Sequence, residues 1–216
     1  MHDDQPQPLT AFALNCSLKA STSDTPSSTE KMIDDLFRAL KPHGVSGSAE
    51  RVIDHPVKPG VMSDMGRDDG WPSLRARIIE ADIFILATPI WLGHPSSSAQ
   101  RALERLDAFL GEADDRQRMP GLGKVALVAV VGNEDGAHAV HAACFQALSD
   151  CGFSIPGNGG LYWVGEAMQS RNYVDLDDIP EPVAQSITLA ASNAAHLARR
   201  LKARPYPGVV APQGKI

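Results

Sequence analysis

Between residues 15 and 30 the chain reads NCSLKASTSDTPSSTE, where Ser17, Ser27, Ser28 and Thr29 accompany a single cation, Lys19. An apolar run leads into this stretch and a helical pattern leads out of it. A helix N-terminus presents unpaired backbone N–H groups and about half a positive charge, so hydroxyls and one lysine placed there make a phosphate site. The formal net charge of −6 does not oppose this, because the neutralisation is local. A plainer reading stands beside it: Ser27 and Glu30 have capping-box spacing, and Ser/Thr-rich loops are common.

Two further stretches suit a flat heterocycle. In TPIWLGHPSS, Thr88 to Ser97, Pro89 stiffens the backbone, Gly93 permits a tight bend, and Ile90, Trp91 and Leu92 supply apolar surface. An apolar wall with backbone donors and acceptors beside it is what an isoalloxazine ring needs. An isolated Trp beside Pro also serves in core or interface packing. In VVGNEDGAHA, Gly132 and Gly136 leave the backbone open to close approach, while Asn133, Glu134 and Asp135 offer polar edges at a helix start. Asn133 or Asp135 could equally be that helix's N-cap.

Other constellations lead elsewhere or nowhere. No G-x-G-x-x-G follows the first strand, and GLGK at Gly121 to Lys124 lacks Walker spacing and precedes a strand. There is no G-x-S-x-G elbow and no H-E-x-x-H. His138, His141 and Cys144 fall at successive i+3 positions, which drift around a helix by about 60° each, so no metal site is expected. Asp64, Asp68 and Asp69 miss EF-hand spacing and read as a solvated loop. Tyr162 and Trp163 suit core packing, a dimer contact or contact with a bound ring. The acidic balance argues against nucleic-acid binding. Cys16, Cys144 and Cys151 are an odd number without C-x-x-C spacing, as expected of core thiols in a reducing compartment. With no long apolar run and an acidic, proline-spotted start, MHDDQPQPLT, the expectation is a cytoplasmic protein without a membrane span.

The elements that must position these loops follow from periodicity. LTAFALNC is a buried strand, and a helix from about Ser28 follows, with Ile33, Phe37 and Leu40 on one face and KPHG as its stop. SAERVIDHPV is a weaker strand, and Lys58 to Trp71 is a long surface loop, a candidate lid. PSLRARIIEA is a helix; DIFILAT, Asp82 to Thr88, is the clearest strand. Ser97 and Gln100 make a capping box for a helix with Ala99, Leu103 and Leu106 inward. KVALVAVVG is a strand, GAHAVHAACFQALSDCG a helix, and FSIPGNGGLYWVG a short strand with a glycine-rich bend. A last helix spans Glu181 to about Lys202, and PYPGVVAPQGKI is a tail able to lie on a neighbouring subunit. The organisation is a tail over 1–8, one domain over 9–204 and a tail over 205–216.

Strands alternating with helices imply parallel βαβ units in a three-layer α/β domain. Ligands then bind beyond the carboxyl ends of the strands, which singles out residues 15–29, 88–97 and 132–138. Phosphate held by hydroxyls instead of glycines suggests a five-stranded parallel sheet in the flavodoxin-like order 2-1-3-4-5, whose usual guest is FMN.

Taken together, the three loops resemble the NADPH-dependent FMN reductase family. Ser17, Lys19, Ser27 and Thr29 match the Ser, Arg, Ser and Thr of its first-loop pattern G-S-x-R-x-x-S-x-T, with Ser28 at the variable site. ADIFILATPIWLGHPSS is similar to its A-D-x-x-x-x-x-T-P-x-Y-W-G-S-P segment, and GKVALVAVVGNEDGAHA to its third loop. The chain departs in Asn15 and Cys16, in Lys19 for arginine, and in a longer first loop. The resemblance implies FMN as cofactor, NADPH or NADH as transient co-substrate, and a quinone, flavin or other small-molecule electron acceptor. It also implies a homodimer or homotetramer. The alternatives are an FMN-binding electron carrier without nicotinamide turnover, and a non-redox domain that has lost the cofactor.

Overall fold

The computed structural model describes residues 8–166 and 169–209. The expected tail over 1–8 lies outside them apart from Pro8, as do residues 210–216 of the expected C-terminal tail. In chain order the elements are β1 (Leu9–Asn15), α1 (Ser28–Leu40), β2 (Val45–Arg51), α2 (Trp71–Glu80), β3 (Ile83–Trp91) and β4 (His94–Pro95). There follow α3 (Ser97–Leu106), β5 (Val125–Gly132), α4 (Ala137–Asp150), β6 (Gly160–Val164) and α5 (Glu181–Ala203). The long strands are parallel in the order β2-β1-β3-β5-β6, and β4 is a two-residue antiparallel arm turned back on β3. With that arm set aside, the order is the expected 2-1-3-4-5.

Strand alternation builds both cores. Phe12 and Leu14 of β1 join Phe84, Leu86 and Val128 beneath α2, α3 and α4. Ala11 and Ala13 join Ile83, Ile85 and Leu127 beneath α1 and α5. α5 presents Ala190, Ala191, Ala194 and Ala195 to the sheet, small side chains that let it lie close. Each buried Leu, Ile or Phe contributes about 1.5–3 kcal/mol relative to exposure, so the central strands β3 and β5 anchor the domain.

Several expected boundaries move. The second strand begins at Val45 rather than Ser48 and ends at Arg51, where Val52–Asp54 turn as a 3-10 segment. Pairing with β1 sets this, Leu9 opposite Val45 through Asn15 opposite Arg51. β3 continues through Pro89 to Trp91, because Pro89 still lies in register with Val131 and the β4 arm pairs Trp91 with His94. The N-cap of α3 is Ser96, not Ser97: its hydroxyl accepts the Ala99 N–H at 3.1 Å and donates to the Cys16 carbonyl at 2.6 Å. That second bond ties the first loop to the second.

The stretch from Lys58 to Trp71 is not a solvated loop throughout. Trp71 is fully buried as the first residue of α2, and Asp69 forms an ion pair with Arg105 in which neither side chain is exposed. Arg105 also donates to the carbonyls of Lys58 and Met62, and Asp69 accepts the N–H groups of Lys58, Met65 and Trp71. A segment folded around an internal charge pair is a poor lid. At the other end, the described part of the C-terminal tail lies on its own chain: Tyr206 Oη is 3.1 Å from Ser154 Oγ, and Val209 N–H donates to the Arg116 carbonyl at 2.8 Å.

Candidate functional site

The loops after β1, β3 and β5 meet at the carboxyl ends of those strands around a cavity of about 420 Å3. Its size lies within the range of small-molecule sites. Ser17, Lys19, Ser27, Ser28 and Thr29 line it from the first loop, and Pro89, Ile90, Trp91 and Leu92 from the second. Gly132, Asn133 and Glu134 line it from the third. Two expected site residues do not. Gly93, φ +76°, is a turn residue of the β3–β4 hairpin, and Asp135 is exposed beyond the lining.

The polar end is built around the N-terminus of α1. Ser27 caps that helix, its hydroxyl accepting the Glu30 N–H at 3.3 Å. The reciprocal half of the expected capping box is replaced: Glu30 pairs with Arg51 at 2.7 Å, and Arg51 also donates to the carbonyls of Lys19 and Ala20. Asp54 accepts the Ser21 N–H, so the long first loop is fastened to the end of β2 at two points. Ser17 Oγ accepts the Lys19 N–H at 3.2 Å, and Ser28 Oγ accepts the Val174 N–H at 3.1 Å. A hydroxyl that accepts a backbone N–H keeps its own proton to donate. Ser17, Ser27 and Ser28 thus offer three donors beside a helix N-terminus, which is the donor set a phosphate requires. Lys19 Nζ spans its own loop to the Pro26 carbonyl at 2.7 Å, within the same wall.

Four lining residues were absent from the expected set: Leu18, Val131, Trp163 and Asn172. Trp163, read as packing or ring contact, reaches the cavity from β6 and packs on Tyr173 with ring centroids 5.6 Å apart. Asn172 belongs to a strap between β6 and α5. Asn133 Nδ2 donates to Asn172 Oδ1 and to the Gln169 carbonyl, each at 3.2 Å, and Val174 reaches Ser28 as described. The strap is anchored by Tyr173, fully buried, whose hydroxyl donates to Asp35 Oδ2 at 2.6 Å. Burial and that carboxylate push the Tyr173 phenol far above its ordinary range. Lys31 Nζ adds bonds to the Leu176 carbonyl at 2.7 Å and the Tyr173 carbonyl at 3.3 Å. The sequence signal for the strap is the Asn172/Asp175 capping box on the 3-10 turn Tyr173–Asp175.

The mouth is apolar: Trp91 is 56 % exposed and Leu92 87 %. All three cysteines are buried. Burial pushes the Cys16 thiol, directly behind Ser17, well up, and raises Cys144 to about 12. His138 and His141 both pack edge-on to Tyr162, and burial lowers the His141 pKa while its Nε2 lies 3.3 Å from the Leu161 carbonyl. Among the described residues no three His, Cys, Asp or Glu side chains gather as metal ligands, and no helix is long and apolar enough to cross a membrane.

The family model of NADPH-dependent FMN reductase matches residues 10–168. The chain is 34% identical over 208 residues to the 8-demethyl-8-aminoriboflavin-5'-phosphate synthase of Streptomyces davaonensis, covering 92% of this chain and 80% of that one. It is 31% identical over 202 residues to a Mycobacterium bovis protein named divalent metal cation transporter MntH. That match covers 90% of this chain but 29% of the other, so the chain spans less than a third of it. Among solved structures it superposes on RosB with the bound intermediate 8-demethyl-8-formylriboflavin-5'-phosphate, at TM-score 0.82 and 34% identity, covering 92% and 82% of the two chains. An oxidoreductase from Corynebacterium diphtheriae, at TM-score 0.63 and 16% identity over 89% of this chain and 98% of that one, shares the fold. Family match, sheet order and the three-loop cavity agree, and the chain belongs to the NADPH-dependent FMN reductase family.

Proposed function

We propose that this protein is a flavin-dependent oxidoreductase that binds FMN in the three-loop cavity and passes reducing equivalents from NADPH or NADH to a small planar acceptor, a quinone or a flavin. The observation that carries the reading is the pairing of two environments in one cavity. The α1 end offers Ser17, Ser27 and Ser28 hydroxyls, a helix N-terminus and Lys19; the walls offer Ile90, Trp91 and Trp163. A phosphorylated flat ring needs both. When bound, FMN supplies the hydride chemistry itself. The chain's residues bind and orient: the hydroxyls and Lys19 take the phosphate dianion, the aromatic walls take the ring, and Asn133 and Asn172 brace the third loop against the strap.

A second reading is favoured by the 34% identical relative, named as a synthase of a modified riboflavin phosphate, and by its structure with a formylated flavin phosphate bound. On that reading the flavin phosphate in the cavity is the substrate. One experiment separates them. Purified protein is titrated with FMN, reduced anaerobically with NADPH or NADH, reoxidised with a quinone, and the flavin is recovered for mass analysis. Catalytic bleaching and recovery of unchanged FMN support the oxidoreductase; no nicotinamide turnover, together with a flavin of altered mass from a parallel aerobic incubation of the protein with FMN and an amine donor, supports the second reading. Failure to bind FMN overturns both.

A further inference from the structure

Glu134 differs in kind from the other polar groups of the cavity. The first loop supplies donors, whereas Glu134 is an anion in the wall, and its Oε1 accepts the Leu92 N–H at 2.7 Å. Leu92 needs such a partner. Its φ is +52° and Gly93 follows at +76°, so the β3–β4 hairpin turns through two residues in the left-handed region. Turns of that shape ordinarily carry Asn-Gly or Gly-Gly, and a leucine there is strained. A backbone N–H to carboxylate bond is charge-assisted and among the stronger hydrogen bonds. It offsets the strain and fixes Trp91 and Leu92 at the mouth. Among the described residues the Glu134 carboxylate pairs with no cation, whereas Glu30 pairs with Arg51, Glu50 with Arg77 and Glu112 with Arg75. The third-loop side of the cavity therefore carries a carboxylate that no ion pair neutralises.

We propose that Glu134 positions the β3–β4 hairpin over the cavity and disfavours the reduced form of the bound flavin; this rests on the FMN reading above. Two-electron reduction with uptake of one proton leaves the ring with one negative charge. Like charges repel strongly in a half-buried site, so the oxidised ring is favoured beside this carboxylate.

The test measures FMN affinity by fluorescence quenching and the midpoint potential of the bound flavin against redox dyes, using wild type, Glu134→Gln and Glu134→Ala. The glutamine keeps an acceptor for the Leu92 N–H and removes the charge. Its expected result is reduced FMN favoured about tenfold relative to oxidised, compared with wild type, a positive shift of about 30 mV. The alanine removes both and is expected to weaken oxidised-FMN binding several-fold as the hairpin loses its anchor. A glutamine variant with the wild-type potential overturns the electrostatic role, and an alanine variant with wild-type affinity overturns the positioning role. Should the wild type take up no FMN, the reading beneath the inference falls and the inference with it.

Discussion

The carboxylate of Asp69 and the guanidinium of Arg105 lie 2.7 Å apart with neither side chain exposed, joining the stretch before α2 to the last turn of α3. Arg105 also stacks over Trp71, its Cζ 5.6 Å from the ring centroid. Breaking a buried pair strands a charge, and about 3–5 kcal/mol is the usual cost. Asp69→Asn and Arg105→Leu are each expected to lose stability of that order in urea unfolding, and a loss under about 1 kcal/mol would show the pair to be replaceable.

The same pair sets an acid limit. Burial alone would raise the Asp69 pKa, but the Arg105 bonds and three backbone N–H groups outweigh it and hold the carboxyl well below the usual range. A depressed folded pKa means the unfolded chain binds the proton first. The stabilisation is thus complete above the ordinary carboxylate pKa of about 4 and is lost as pH falls below it. Urea midpoints measured between pH 7 and pH 3 should fall steeply at the acid end in wild type and less in Asp69→Asn.

Phosphate recognition is separable from ring recognition. On the proposed FMN reading, Lys19 and the Ser17, Ser27 and Ser28 hydroxyls would serve the first, and Ile90, Trp91 and Trp163 the second, all of them lining the same cavity. Lys19→Gln removes one charge-assisted contact, about 1.5–3 kcal/mol, so FMN affinity is expected to fall at least tenfold. Riboflavin lacks the phosphate, and its affinity should change little. Equal losses for the two ligands would place Lys19 outside the phosphate site.

What the sequence showed was what local pattern encodes. The apolar runs at residues 9–16, 82–88 and 124–132 gave the central strands, and hydroxyls, glycines and aromatics after them gave three loops that do meet. The misses depend on distant partners. Asp69 looked solvated because Arg105, 36 positions away, is what buries it. Asn172 joined the cavity through Asn133, 39 positions away, and Trp163 through the register of β6 on β5. The apolar run gives the third strand as Asp82 to Thr88, yet the chain keeps pairing through Pro89 with Val131 and on to Trp91 with the β4 arm.

The Tyr173 hydroxyl is the buried one of the strap's several anchors. Tyr173→Phe removes its 2.6 Å bond to Asp35, leaving that carboxylate with Arg38. The expected cost is about 1–3 kcal/mol, since a buried acceptor loses a partner. The local readout is sharper: amides of residues 169–176 should exchange with deuterium faster in the variant while those of β3 and β5 do not. Uniform acceleration would mean Tyr173 supports the whole fold and not the strap in particular.

Two glycines at the hairpin separate backbone strain from close approach. A Cβ on Gly136 would lie 2.8 Å from Gly93 Cα, backbone that cannot swing aside, and its φ is +120°. A Cβ on Gly93 would meet nothing within 4 Å, so Gly93→Ala carries only the cost of its positive φ, about 1–2 kcal/mol. Gly136→Ala is expected to cost more, because the hairpin must lift from the start of α4 and stretch the Leu92–Glu134 bond. Trp91 rides on that hairpin, so its emission should shift in Gly136→Ala and stay near wild type in Gly93→Ala. If the two variants lose equal stability and leave the spectrum alike, it is the turn conformation, and not the contact of hairpin with helix, that holds the mouth of the cavity in place.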